Sequence, residues 1–279
     1  MYYAFAIVPA MFCINPVLMC ISLAGAVSFR IAKDGAGALK KMLPFFAFPV
    51  VGVILNPLFV HKGTTPLFIL NNNPVTLEAV LFGLTLGIMI CSTIIWFSSF
   101  NSIMTTDKLL YVFGSVSPKI ALILSMTLRY IPLYGQQIKK VRQAQIVTGL
   151  YKEDNAIDKI RGGLRIMSVM VSWALENGII TADSMSARGY GAGRRSRFAI
   201  FGWRTADVVL ALVCVALGGT TAACMGIGHL AFEWYPSIVS PGASAAAVTA
   251  YIAYALLCAM PTVLQIREEA RWRSLQSEI

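Results

Sequence analysis

Apolar residues follow one another in long stretches along most of this chain, and one long polar region separates the fourth stretch from the fifth. A helix needs about 20 residues to cross a lipid bilayer, and each stretch is long enough for a crossing or a large part of one. The stretches lie at about residues 4–29, 43–60, 77–100, 109–128, 205–232 and 244–265. The pattern predicts an all-α polytopic membrane protein with about five or six membrane segments.

The same pattern divides the chain into three predicted parts. Residues 1–128 hold the N-terminal membrane segments, residues 129–204 form the polar region, and residues 205–279 hold the C-terminal membrane segments and a tail. Within the polar region, apolar side chains recur at helical spacing over 131–150 and 160–183, with polar stripes beside them. These are predicted to be two long amphipathic helices that either dock a partner or lie on anionic lipid, and the two uses are compatible.

Composition supports the membrane assignment and limits the chemistry. Of 279 residues, 57% are apolar and 13% are charged, with a mean hydropathy of +0.69, against about 45–50% and 25% in soluble domains. The six cysteines form no C-x-x-C pair, and His61 and His229 are far apart in sequence. Little is left for a metal centre or a nucleophile–base pair. We therefore expect no catalytic, cofactor or metal site in this chain, and no nucleic-acid partner.

The distribution of charge predicts the orientation in the membrane. The chain carries a net charge of +10; residues 129–204 alone carry +8 and residues 30–41 carry +3. Basic loops beside spans stay in the cytoplasm, so both regions and the C-terminal tail are predicted to face inward. A full crossing by 109–128 would break this rule, so we expect that segment to be re-entrant or to lie along the membrane.

The N-terminal segment has two possible forms. Asn15-Pro16 lies near the middle of residues 4–29, and proline interrupts helical hydrogen bonding. The segment is either one kinked span or a shallow hairpin of two short helices, and the sequence alone does not choose between them.

Five short motifs, in order, resemble one family of transporter subunits. Together they fall within about residues 50–207. The motifs are NPLFVHKG at 56–63, TLEA at 76–79, LRYIP at 128–132, SWALE at 172–176 and TADSMSARGYG at 181–191. They are similar to motifs of the transmembrane T subunit (EcfT/CbiQ-like) of energy-coupling factor (ECF) transporters, which are ABC-type importers of prokaryotic plasma membranes.

The resemblance implies a scaffold that hydrolyses nothing itself. In that family, two long cytoplasmic coupling helices cross in an X, and each ends in a short motif that docks on one of two ABC-type ATPases, where ATP and Mg are bound. A small membrane-embedded S subunit captures a vitamin or a metal ion and releases it when the ATPases close. Which substrate this chain serves is not readable from its sequence.

The resemblance places an ATPase-coupling motif at Ala187, Arg188 and Gly189. The residues fit that role, because glycine ends a helix and leaves the five N–H donors of the Arg188 guanidinium projecting at its tip. The alternative is that Arg188 only caps the last helical carbonyls or reaches lipid phosphates.

The first coupling helix departs from the family pattern. Thr148, followed by Gly149, stands where many members carry an arginine. The two tips are thus predicted to be chemically unequal, as an asymmetric pair of non-identical ATPases would require. Arg142 and Lys152 are nearby candidates to replace the missing charge.

A charge near the bilayer needs a partner or water. Arg129 lies at the junction of the membrane and coupling regions, and either Glu176 or Asp183 is a candidate to pair with it and support the two coupling helices. The sequence does not show which charges meet.

Two other functions compete with the scaffold. A self-contained polytopic transporter or channel needs ionisable groups at membrane depth, whereas Glu78, Asp207 and Glu233 lie near segment ends. An intramembrane enzyme needs a motif such as H-E-x-x-H or a nucleophile–base pair, and the sequence has neither.

Overall fold

The computed structural model describes residues 2–35, 37–70, 73–150, 156–193, 202, 204–240 and 244–277. Most of these residues are helical, and one short antiparallel hairpin joins two of the helices. In chain order the elements are α1 (Tyr2–Phe12), α2 (Pro16–Asp34), α3 (Gly37–Met42), a 3₁₀ turn (Leu43–Phe46), α4 (Ala47–Phe59), β1 (Pro66–Leu70), β2 (Asn73–Thr76), α5 (Leu77–Ile103), α6 (Thr106–Val116), α7 (Pro118–Val147), α8 (Ala156–Ala187), α9 (Thr205–Gly226) and α10 (Ala245–Ser277).

The chain folds as two compact units. The first, the membrane unit, comprises Met1–Met104 and Trp203–Ile279, and the second, the helical arm, comprises Thr105–Gly202. Five helical stretches in the described residues are long and apolar enough to span a membrane, and all belong to the membrane unit. They are Pro16–Asp34, Gly37–Phe59, Leu77–Ile103, Thr205–Gly226 and Ala245–Gln276. The predicted all-α polytopic fold is confirmed.

The N-terminal segment forms two helices, because the helical conformation is interrupted before Pro16, at Asn15. Its backbone is extended, its side chain accepts a hydrogen bond from Val17 N, and Pro16 begins α2 where no N–H is needed. The Asn15 amide also donates to Leu230 O at 3.2 Å and to the Tyr251 hydroxyl at 2.6 Å. These bonds attach the segment between α1 and α2 to parts of the chain that are more than 200 residues away in sequence. With 11 residues, α1 is too short to cross a bilayer.

The core of the membrane unit surrounds Trp96 on α5. This side chain is fully buried, and its Nε1 donates to Ser22 Oγ on α2 at 3.1 Å. The Tyr254 hydroxyl on α10, also fully buried, donates to Ala6 O on α1 at 2.7 Å. Buried polar groups in an apolar medium need such partners, so these two bonds select one arrangement of the four helices.

Three glycines bring α4 and α5 into backbone contact. A Cβ placed on Gly83 would collide with the carbonyl oxygen of Gly52, and one on Gly87 would collide with the backbone of Pro49. Small residues at such positions let helices approach closely, which is how helices associate in lipid without a hydrophobic driving force between them. Asn56 Nδ2 adds a hydrogen bond to Ala79 O at 2.6 Å.

Glu78, in the motif at 76–79, binds the loop that directly follows the motif at 56–63. Its Oε1 accepts from the backbone N–H of Thr64 and Thr65, both at 3.3 Å, and from Thr64 Oγ1 at 3.0 Å. Its Oε2 accepts from Thr65 Oγ1 at 2.9 Å. Thr76, the N-cap of α5, donates to Lys62 O at 3.0 Å. The buried carboxylate therefore fixes the loop before the hairpin to the start of α5.

In the helical arm, residues 109–128 do not form one helix. Helix α6 ends at Val116, and α7 begins after a single extended residue, Ser117, and packs against α6, with the Gly114 backbone close to the Ala121 side chain. The candidate spans do not include this segment. Its re-entrant or surface position stays a prediction. Helix α7 runs through residue 128 without interruption. The predicted division of the chain into membrane and cytoplasmic parts at residues 128 and 204 also stays a prediction.

Substituting Gly83→Ala is expected to destabilise the membrane unit by about 1–3 kcal/mol, because the added methyl group overlaps the α4 backbone. The control is Gly219→Ala in α9, where the methyl group meets open space. Thermal unfolding of the purified protein in detergent measures the effect. Equal melting temperatures for the two variants would contradict the close contact.

Substituting Glu78→Ala is expected to release the loop at residues 60–65, because the N–H groups of Thr64 and Thr65 lose their acceptor. Hydrogen–deuterium exchange of this loop and of the first turn of α5 should become faster than in the wild type. Glu268→Ala, an exposed acidic residue of α10, is the control. Unchanged protection in Glu78→Ala would show that the carboxylate does not hold the loop.

Candidate functional site

Helix α7 ends in a glycine cap that leaves Thr148 at the tip. Leu150 N donates to Gln145 O at 2.9 Å and Gly149 N donates to Ile146 O at 3.0 Å. Gly149 has φ +70°, a left-handed conformation that glycine adopts without a Cβ penalty. This pair of bonds is a Schellman motif, in which the turn satisfies carbonyl groups that the helix leaves unpaired. Residues 148–150 are called the first tip below.

Helix α8 ends in the same motif forty residues later. Tyr190 N donates to Met185 O and Gly189 N donates to Ser186 O, both at 3.0 Å, and Gly189 has φ +78°. Arg188 therefore holds in this cap the position that Thr148 holds in the other. Residues 188–190 are called the second tip. The paired motifs mean that the two tips have one backbone geometry and differ in side chains.

The two side chains at this shared position behave differently. The Thr148 hydroxyl lies within hydrogen-bonding distance of Ala144 O at 2.9 Å and Gln145 O at 3.2 Å, so it turns back onto its own helix. Arg188 is exposed, and its backbone N–H donates to Ser184 O at 3.2 Å. Since backbone groups already satisfy the carbonyls of residues 184–186, the guanidinium is not required as a cap.

Residues in and directly beside each tip are also exposed. Val147, the last residue of α7, is 87% exposed, and Tyr190 is 49% exposed. Ala187 is exposed beside Arg188 and is too small to screen it. Of the two candidates for a replacement charge near the first tip, Arg142 is an exposed residue of α7, and Lys152 lies outside the described residues.

Aromatic and hydroxyl groups join α7 to α8. The Tyr130 and Thr181 hydroxyls are 2.7 Å apart, the rings of Tyr130 and Tyr134 stack with centroids 5.7 Å apart, and Tyr134 meets Trp173 edge to face at 5.4 Å. Nearer the first tip, Arg165 Nη1 donates to Leu150 O at 3.2 Å. Sequence reasoning gave these residues no joining role, although Tyr130 and Tyr134 are one helical turn apart.

The predicted ion pair at this crossing is not formed. Arg129, Glu176 and Asp183 are all exposed, and among the described residues no salt bridge joins Arg129 to either acid. Successive residues of a helix are about 100° apart, so Arg129 does not share the helix face on which Tyr130 meets Thr181 of α8. Among the described residues, the contacts that join α7 and the first tip to α8 include those of the two tyrosines, Trp173, Thr181 and Arg165.

One face of α8 is an exposed apolar stripe. Its side chains are 53–71% exposed in this chain and recur every three or four residues, which places them on one side of the helix. The stripe consists of Ile157, Ile160, Leu164, Met167, Val171, Leu175 and Ile179. A continuous apolar surface of this kind marks contact with protein or lipid.

Comparison with known proteins agrees with the motifs. The family model CbiQ, described as cobalt transport protein, matches residues 1–200. The chain is 27% identical to the energy-coupling factor transporter transmembrane protein EcfT of Streptococcus equi subsp. equi, over 61% of this chain and 69% of that protein. It is 27% identical to the EcfT protein of Exiguobacterium sibiricum, over 77% of this chain and 88% of that protein.

A third relative, energy-coupling factor transporter transmembrane protein EcfT 1 of Listeria monocytogenes, is 25% identical over 64% of this chain and 71% of its own length. The family match covers most of the chain, including both tips and the Glu78 loop. Together with the five apolar spans, it shows that this chain belongs to the CbiQ family and is a multi-pass transmembrane component of an energy-coupling factor transporter.

Proposed function

We propose that this chain is the coupling subunit of an ECF importer, and that its two tips each dock on one of two ABC-type ATPases. Motion of the ATPases passes through α7 and α8 to a small membrane-embedded S subunit that delivers a vitamin or a metal ion. The observation that carries the proposal is the pair of identical caps forty residues apart, which presents two equivalent docking points on one arm.

The second tip has the chemistry of a docking point for a carboxylate or carbonyl-lined groove. Arg188 is exposed on a backbone that is already capped, so its fork of donors is available to a partner. Gly189 and Ala187 beside it are small and let a partner surface come close. This arrangement disfavours the alternative in which Arg188 serves only its own helix.

The first tip fits a different groove. Thr148 directs its hydroxyl to Ala144 and Gln145. Exposed Leu150 in the tip, with exposed Val147 directly before it, makes this surface mainly apolar. A groove that accepts this tip needs a complementary shape and apolar side chains, and it does not need an acidic residue. Two unlike tips are best matched by two non-identical ATPases, each carrying one kind of groove.

The apolar stripe of α8 is the proposed contact surface for the S subunit. A membrane-embedded partner that tilts during release needs an apolar surface that tolerates sliding, and Met167 within the stripe packs adaptably. The remainder of the stripe is available to lipid at the membrane surface.

Hydrolysis is assigned to the partner ATPases, with ATP and Mg bound there, and no cofactor is assigned to this chain. Charged side chains of the five described spans lie towards helix ends. Glu78, which is buried, has its carboxylate occupied by Thr64 and Thr65. These facts favour a coupling subunit over a self-contained transporter or channel, which needs charges free to bind cargo within the membrane.

The proposed location is the plasma membrane of a prokaryote, with α7, α8 and the C-terminus in the cytoplasm. The excess of Lys and Arg over residues 129–204 and 30–41 supports this orientation.

Substituting Arg188→Ala is expected to weaken the ATPase contact at the second tip about thirtyfold, the effect of removing an interface residue that contributes about 2 kcal/mol. The affinity-tagged chain is purified gently from its native host, and each co-purifying ATPase is quantified by mass spectrometry. Arg161→Ala, which removes an exposed arginine elsewhere on α8, is the matched control. Equal ATPase recovery from both variants would contradict the assignment of the second tip.

Substituting Thr148→Arg is expected to reduce recovery of the ATPase bound at the first tip and to spare the other, because a long charged side chain replaces a small one in an apolar groove. Thr148→Ser, which keeps the hydroxyl, is the control. Wild-type recovery of both ATPases from Thr148→Arg would show that the first groove accepts arginine, and the proposed difference between the grooves would be wrong.

A further inference from the structure

A small cavity at one end of the membrane unit combines positive charge with an apolar wall. Its volume is about 210 Å³ and it is lined by Arg30, Lys41, Met42, Phe45, Ile95 and Ser98. One ordered water needs only about 10–15 Å³ of such space, so the cavity has room for a larger group. It lies between the last part of α2, the end of α3 with the 3₁₀ turn that follows it, and the last part of α5.

The position of the cavity relative to the bilayer follows from the spans. The stretches Pro16–Asp34 and Gly37–Phe59 are consecutive spans, so the turn between them lies at a membrane surface. Lys33 Nζ donates to Ser102 Oγ at 2.6 Å, which brings the end of α5 to the same surface. The cavity is therefore at the depth of lipid headgroups and the first carbons of their chains.

Arg30 is held in place before any ligand arrives. Its Nη2 lies 2.9 Å from Asp34 Oδ2, and its Nη1 donates to Ser98 O at 3.3 Å. The Arg30 side chain is only 13% exposed. These two bonds fix the guanidinium, which has five N–H donors in all, so part of its donor set remains to face an anion.

Asp34 offsets the charge of Arg30, so the net positive charge of the cavity comes from Lys41. Lys41 is exposed, and its ammonium group forms no hydrogen bond or salt bridge with the described residues. Over residues 30–41 the net charge is +3. Met42 and Ile95, at 2% and 1% exposure, form the apolar part of the wall.

We propose that this cavity binds the phosphodiester of an anionic glycerophospholipid, with Arg30 and Lys41 on the phosphate and the upper acyl chain against Met42, Phe45 and Ile95. The cavity has basic side chains beside an apolar wall, which matches the anionic headgroup and the adjoining acyl chain of such a lipid. Basic pockets between transmembrane helices are typical sites for such headgroups. A bound lipid would tie α2, α3 and α5 together at one membrane surface. The proposal does not depend on how the tips engage ATPases.

The test uses the full-length chain purified in a nonionic detergent, with phosphatidylglycerol and phosphatidylcholine as probes. Bound lipid is counted by native mass spectrometry, and the melting temperature is followed as each lipid is added. We expect wild-type protein to retain phosphatidylglycerol and to be stabilised by it. It should respond little to phosphatidylcholine, because the quaternary ammonium group of that lipid offsets the phosphate charge beside Arg30 and Lys41.

Lys41→Gln is the main variant, since an exposed lysine is dispensable for folding. Its affinity for phosphatidylglycerol should fall about fivefold, the effect of one basic residue near an anionic lipid surface. Lys40→Gln removes the same charge from the neighbouring position, which does not line the cavity, and should lose much less. Equal losses in the two variants would indicate diffuse attraction and overturn the proposal.

Ser98→Leu tests the cavity without changing charge, because the larger side chain fills it. We expect this variant to lose phosphatidylglycerol, and retention at wild-type affinity would place the lipid elsewhere. Inorganic phosphate is the second probe: stabilisation by phosphate alone equal to that by phosphatidylglycerol would indicate a site for a soluble anion. Equal stabilisation by phosphatidylcholine, which has the same phosphodiester but a cationic headgroup, would show that the site does not select anionic lipid, and either result would overturn the assignment.

Discussion

The last carbonyl groups of a helix have no partner within it, and the way the chain satisfies them determines what the helical arm presents. At both tips a glycine with positive φ turns the backbone so that N–H groups beyond the helix reach back to those carbonyls. The side chain just before the glycine is then released from any capping duty. The same backbone geometry thus places Thr148 and Arg188 at equivalent positions, and the two tips differ in the side chains they expose.

The membrane unit solves a related problem in an environment without water. Its helices approach through glycines of α4 and α5, and its buried polar groups pair across long sequence separations, as Trp96 does with Ser22 and Tyr254 with Ala6. Glu78 is the most demanding of these groups, because a buried carboxylate requires several donors. The loop before the hairpin supplies them from Thr64 and Thr65, directly after the motif at 56–63. The two motifs themselves are joined by the bonds from Thr76 to Lys62 O and from Asn56 to Ala79 O.

Much of this arrangement was predictable from hydrophobic periodicity. Long apolar runs located the five spans because that signal is local, and both tips were located by the resemblance to a family of transporter subunits. Contacts between elements were not predictable in the same way. The predicted ion pair between Arg129 and Glu176 or Asp183 is not formed, because the presence of a charge does not tell which face of the helix it occupies. The contact between Tyr134 and Trp173 likewise depends on how α7 and α8 are rotated about their axes. The break at Asn15 was visible as Asn-Pro, but choosing two helices required the bonds to Leu230 and Tyr251.

The apolar stripe of α8 has a consequence for the life of the protein in the cell. Seven large apolar side chains along one helix, each more than half exposed in the isolated chain, form the kind of surface that aggregates or attracts chaperones and proteases. We expect a copy made without its partners to be short-lived, so that its partners set how much of it persists. The same surface that suits assembly would then act as a quality-control signal, keeping the subunits of the transporter in balanced amounts.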